Sequence, residues 1–141
     1  MSEQNVELHR RLNATFNARD IEGALAVCDQ EIEFHSLFAA VGGADYSGHE
    51  GMRRYFADID DAWGNELRIE PEAYFDLGEH TLAFYVARGR GPQSGAEVEM
   101  PYAQVVRWRD GLIAYYKAYA QREDALRDLG VSAETLEPIA P

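Results

Sequence analysis

Apolar residues recur at helical spacing in the first half of the chain and at alternating spacing in the second. That order favours an α+β fold over a repeating strand-helix unit. Leu8, Leu12 and Phe16 share one helix face, and Asp20 is placed to cap a short second helix carrying Ile21, Leu25 and Cys28. Residues 32–36 alternate as a strand. Ser47-Gly48-His49-Glu50 reads as a capping box, with Met52, Tyr55, Phe56, Ile59 and Trp63 following at helical spacing. Residues 67–76, 80–91, 97–109 and 112–120 then alternate as strands. Their connectors are Leu77-Gly78, Gly91-Pro92-Gln93-Ser94-Gly95 and a turn at Arg109-Asp110-Gly111. A short helix over 122–129 stops at Gly130, and 131–141 reads as a loosely ordered tail behind a single domain of residues 1–130.

One polar residue breaks the most regular strand face. The even positions of 98–108 read Val98, Met100, Tyr102, Gln104, Val106 and Trp108. A core amide without partners costs about 1–3 kcal/mol. Gln104 is therefore either locked in a structural network or aimed into a cavity where a ligand or water completes it. The turn decides what faces it, because a one-residue slip reverses every side chain. A two-residue Asp110-Gly111 loop turns Ile113, Tyr115, Lys117 and Tyr119 toward Gln104. A three-residue loop pairs Trp108 with Leu112, sets Tyr116 opposite Gln104 and turns Ala114, Ala118 and Ala120 inward. The second keeps Lys117 off the core and leaves space beside the amide, and is the expected register.

Charge narrows the partners. The 141 residues carry a formal charge of -12 with no dense basic patch, which argues against nucleic acid or an anionic membrane. No apolar run approaches the roughly 18 residues of a membrane span, and the start MSEQNVELHRR lacks a secretory h-region, so the cytoplasm is expected. The lone Cys28 excludes an internal disulfide and reads as buried filler. His9, His35, His49 and His80 have no metal-ligand spacing, and neither a metal nor a cofactor is expected. Alternation with Phe34 and Ser36 puts His35 on the outer sheet face as a dimer contact rather than a base. Arg88 is read as pointing outward. Gly42 and Gly43 sit in a loop without a phosphate-binding sequence.

Several ordered segments resemble the SnoaL-like branch of the nuclear-transport-factor-2-like (cystatin-like) superfamily. They are Asn17-Ala18-Arg19-Asp20-Ile21-Glu22 before Ile32-Glu33-Phe34-His35-Ser36, then Tyr46-Ser47-Gly48-His49-Glu50-Gly51 and Gly89-Arg90-Gly91 with Ser94-Gly95. Arg107-Trp108-Arg109-Asp110-Gly111-Leu112-Ile113 and Ala125-Leu126-Arg127-Asp128-Leu129-Gly130 complete the set. The resemblance implies an α+β cone: a strongly curved, mostly antiparallel sheet wrapped around a pocket, covered by the N-terminal helices and a third helix. It also implies a homodimer through the sheet. The fold hosts cyclases, isomerases, hydrolases, dehydratases and binding proteins, so it does not fix a function.

Catalytic residues do not carry over. Aligned on Asp20-Ile21-Glu22, the ketosteroid-isomerase base falls on Ser36, its oxyanion-hole acid on Gln104 and its tyrosines on Leu12 and Phe56. The acid of the epoxide-hydrolase or cyclase type falls near Ala118. A serine hydroxyl without an activating partner is no proton base near neutral pH. Whether the chain is an enzyme therefore stays open. The resemblance and the aromatic lining together imply a pocket for a small apolar molecule, with Gln104, Tyr116, Ser36, Tyr102, Phe34, Phe56 and Trp63 as candidate ligand contacts. Three functions remain: a cyclase, isomerase or dehydratase acting on a polyketide- or terpenoid-like skeleton, a non-catalytic ligand-binding protein, or a homodimeric interaction protein.

Overall fold

The alternating segments pair into one six-stranded, curved and unclosed sheet, in a computed structural model that describes residues 2–39, 43–90 and 95–140. In chain order the elements are α1 (Ser2–Ala18), α2 (Ile21–Val27), β1 (Cys28–Ser36), β2 (Ala44–Ser47), α3 (Gly48–Trp63) and β3 (Arg68–Asp76). β4 (His80–Arg90), β5 (Glu97–Arg109), β6 (Leu112–Tyr119) and α4 (Arg122–Leu129) follow. The strand order is β2-β1-β6-β5-β4-β3, antiparallel throughout except for the parallel pair β1 and β6. This is the expected α+β class. β2 was not expected, because four residues are too few for alternation to register. Gly42 and the connector residues 91–94 lie outside the described residues.

Strand parity sorts side chains into two cores. On the inner face Phe34, Tyr74, Tyr85, Tyr102, Val106 and Tyr116 pack against Leu12 and Phe16 of α1 and Met52, Tyr55, Phe56 and Ile59 of α3. On the outer face Phe75, Leu82, Ala103 and Val105 are closed over by Ala125, Leu126 and Leu129 of α4, with Leu136 beyond it. Arg122 fastens α4 there by donating to the carbonyls of Tyr85 at 2.9 Å and Tyr102 at 3.2 Å. The segment after Gly130, read from sequence as loose, is tied down. Tyr74 and Ile139 exchange backbone hydrogen bonds at 3.0 and 2.7 Å, and Arg10 donates to the Ala140 carbonyl at 2.6 Å.

The β5-β6 hairpin corrects the expected register. Its loop is the two-residue one: Arg109 pairs with Leu112 across Asp110 and Gly111, whose φ values of 53° and 78° suit the tight turn that matches strand twist. A bulge then resets the parity. Trp108 pairs with Ile113 but Arg107 pairs with Tyr115, so Ala114 is the extra residue. Tyr116 and Ala118 consequently face inward, but Tyr116 lies opposite Val106, and Gln104 lies opposite Ala118 rather than Tyr116. On its other side Gln104 pairs with Ala83. Two alanines thus leave room around the amide for side chains from the helices.

Two smaller expectations also change. Ser47 occupies the N-cap of α3 but makes no capping hydrogen bond, so the capping box is not formed. Ser47 is the last residue of β2, where pairing with Glu33 leaves it exposed on the sheet. Cys28 belongs to the start of β1 rather than to a helix face, and burial pushes its thiol up to about 12, making it a poor nucleophile. The turn yields a clean test. Nothing lies within 4 Å of a Cβ added at Gly111, so Gly111→Ala strains only the backbone. The substitution should lower stability by about 1 kcal/mol, read as a lower urea midpoint at unchanged m-value.

Candidate functional site

Gln104 is fully buried, and every hydrogen-bonding site on its amide is used. Its Oε1 accepts from His9 Nε2 at 2.8 Å and Asn13 Nδ2 at 2.9 Å. Its Nε2 donates to Asn13 Oδ1 and to the Tyr102 hydroxyl, both at 2.9 Å. His9 and Asn13 stand one turn apart on α1, so the helix presents both to β5 together. Asn13 Nδ2 also donates to the His9 carbonyl at 3.1 Å. The Tyr74 and Tyr85 hydroxyls bond each other and reach Asn13 as well. Six polar side chains from α1, β3, β4 and β5 therefore form one buried network.

Beside this network lies a cavity lined by Leu12, Asn13, Phe16, Phe34, Ser36, Leu37, Phe38, Met52, Tyr55, Phe56, Ile69, Tyr102, Tyr116 and Ala118. Its free volume of about 20 Å³ holds one water. The walls are aromatic: Phe34 stacks on Tyr116 with ring centroids 4.1 Å apart, and Phe38 meets Tyr102 edge-on at 5.1 Å. The lining carries no carboxylate, amine, guanidinium or imidazole. Its polar members are Asn13, Ser36, Tyr55, Tyr102 and Tyr116. Burial first, then the neighbouring phenols, raises the Tyr116 hydroxyl well above its ordinary value; burial raises Tyr55 and Tyr102 too. All three remain protonated hydrogen-bond donors at neutral pH.

Of the residues singled out by sequence, Phe34, Ser36, Phe56, Tyr102 and Tyr116 line this cavity. Gln104 stands behind the wall, held by the network. Trp63 is half-buried at the end of α3, where its Nε1 donates to the Phe38 carbonyl at 2.9 Å. His35 and Arg88 face the outer side. His35 bonds Asp45 at 2.7 Å, and Arg88 bridges Glu70 and Glu99. Among the described residues no cluster of His, Cys, Asp and Glu is placed to hold a metal, and no helix is long and apolar enough to cross a membrane.

His9, weighed only as a metal ligand, and Asn13 were among the residues of this network that sequence reading missed. Their signal was present: with Val6, Leu12 and Phe16 they complete one helical face. Burial lowers the His9 imidazole to about 4 against the hydrogen bond it donates to Gln104, which raises it, so His9 is neutral at pH 7. The unfolded chain takes up a proton near pH 6.5, whereas the native one resists until about 4. Stability from this group is complete above pH 6.5 and is lost as pH falls toward 4, by roughly 3 kcal/mol in all. Urea unfolding from pH 7.5 to 4 should show that loss in the native protein, and a His9→Gln variant should lack this part of the pH dependence.

Comparison with known proteins places this geometry. A family model described as a SnoaL-like domain matches residues 9–116. Among solved structures, Bal32a from a soil-derived mobile gene cassette is similar with a TM-score of 0.74 at 17% identity, covering 84% of this chain and 89% of that one. TerC, co-crystallised with polyporic acid, is similar at 0.73 and 21% identity, covering 89% and 97%. A hypothetical protein with a ketosteroid isomerase-like fold from Catenulispora acidiphila, in complex with trimethylamine, follows at 0.72 and 17%, covering 91% and 95%. A search of curated proteins gives no match. With the family model spanning α1 to β6, the chain belongs to the SnoaL-like family of the nuclear-transport-factor-2-like fold, a family that includes polyketide cyclases.

Proposed function

We propose that this SnoaL-like chain binds an uncharged, largely apolar, oxygen-bearing small molecule of polyketide or terpenoid type in the cavity between α1, α3 and the sheet. The observation that carries the reading is the lining itself. Aromatic and aliphatic side chains surround a few neutral hydrogen-bonding groups, the pattern of a site for an apolar ligand oriented at few points. A charged ligand would be desolvated there without a counter-charge, at a cost of several kcal/mol. Since the free volume of about 20 Å³ holds one water, a ligand of this kind enters only as lining side chains move aside. Phe38 is half-buried and anchored through its carbonyl to Trp63.

Binding ranks ahead of turnover in this reading. A cyclase, isomerase or dehydratase reaction here would rest on phenol donors polarising a carbonyl, since no lining residue is an ionised carboxylate or a histidine able to take a proton. A sheet-to-sheet homodimer would have to use the strip of Glu33, His35, Tyr115 and Lys117, because α4 covers the central strands. The cytoplasm is our proposed compartment, with which the single free, buried Cys28 is compatible.

Calorimetric titration with 9-fluorenone and with 9-fluorenone-4-carboxylate tests the reading. The neutral ketone should bind at least about tenfold more tightly than the anion, the equivalent of about 1.4 kcal/mol. Ala118→Met, which fills the cavity from the β6 wall, should weaken the ketone by a similar factor while the protein remains folded by circular dichroism. Equal binding of the two probes, or indifference to Ala118→Met, contradicts the proposal.

A further inference from the structure

We infer that Tyr102 is a fixed hydrogen-bond donor into the cavity, and that the site therefore selects ligands presenting a carbonyl-type oxygen acceptor at that wall. The inference rests on the ligand-binding reading above and assigns its polar specificity. The His9 carbonyl only accepts, so the Asn13 group facing it at 3.1 Å is the Nδ2 amine. That amine also donates to Gln104 at 2.9 Å, so Gln104 turns its Oε1 there. The Nε2 of His9 meets the same oxygen at 2.8 Å and must carry the imidazole proton. Gln104 is left with only Nε2 to offer Tyr102, and it donates to the phenol oxygen at 2.9 Å.

The phenol has one hydrogen of its own. A lone pair of its oxygen is occupied by Gln104, and no acceptor for its hydrogen stands among the described residues. Tyr102 lines the cavity, so that hydrogen is available to its occupant. In the ligand-free protein a single water fits beside it; a ligand oxygen takes the water's place. His9, Asn13 and Gln104 are thus positioning residues. None of them need touch a ligand atom to set the polarity of Tyr102, and the backbone carbonyl of α1 fixes the whole chain of donors. Replacing Gln104 by Glu reverses it. A carboxylate accepts only, so Tyr102 would donate backward into the network and present lone pairs to the cavity.

Infrared spectroscopy of bound 9-fluorenone reads this directly. In the native protein its carbonyl stretch should lie at lower frequency than in an apolar solvent. Tyr102→Phe should abolish that shift and weaken binding roughly threefold to tenfold, the range of one neutral hydrogen bond. Gln104→Glu should abolish the shift with Tyr102 still present, an effect that loss of packing would not produce. Should a variant fail to fold, ¹⁵N NMR of the native protein decides instead: His9 should be the Nε2-protonated tautomer, and the Nδ1-protonated form overturns the inference. Fluorenone bound with an unshifted carbonyl in the native protein also overturns it, leaving the pocket reading intact. If fluorenone does not bind at all, the pocket reading fails and this inference with it.

Discussion

Everything near the centre of this molecule depends on one side-chain amide buried with both lone pairs and both hydrogens engaged. Gln104 joins α1 to the middle of the sheet, because its partners His9 and Asn13 lie on the helix and Tyr102 on its own strand. A single missing bond would leave a buried polar atom unsatisfied at about 1–3 kcal/mol. With all four sites of that amide satisfied, the contacts fix both how deep α1 sits on the sheet and how it is rotated. Apolar packing by Leu12 and Phe16 alone would tolerate small slides of the helix. Two directional amide contacts at 2.9 Å do not.

The same constraint shapes the cavity. Ala83 and Ala118 flank Gln104 on the neighbouring strands, so the helix side chains can reach it without a clash. Ala118 also forms part of the cavity wall, and Tyr102 and Asn13 belong to both the network and the lining. The polar centre and the ligand-sized space are therefore two sides of one arrangement. Polar atoms sit behind, engaged with one another, and aromatic surfaces sit in front. That division explains why a core rich in tyrosine offers donors without offering charge.

Much of this was legible in the chain before its structure. Alternation identified β3 to β6 and the second half of β1, helical spacing identified the core face of α3, and a lone amide on an apolar face announced either a network or a site. What the chain concealed lay in long-range pairing. The extra residue at Ala114 cannot be read locally, because a bulge leaves the hydrophobic alternation beyond it looking like a longer turn. Tyr116 was therefore placed against Gln104 when Ala118 belongs there. His9 and Asn13 were hidden for a different reason. Polar residues on a helix face look solvated until a buried acceptor on a distant strand calls for them, and residues 9 and 104 meet only once the sheet is curved over α1.

The coupling between Asn13 and Gln104 tests this account most directly. A double-mutant cycle of Asn13→Ala and Gln104→Ala, with each variant unfolded in urea at pH 7.5, isolates the pair from the separate costs of truncation. The network predicts a coupling energy of about 2 kcal/mol, because either single substitution already strands the partner amide. Additivity to within about 0.5 kcal/mol would contradict it, and would mean that the helix is held to the sheet by apolar packing alone.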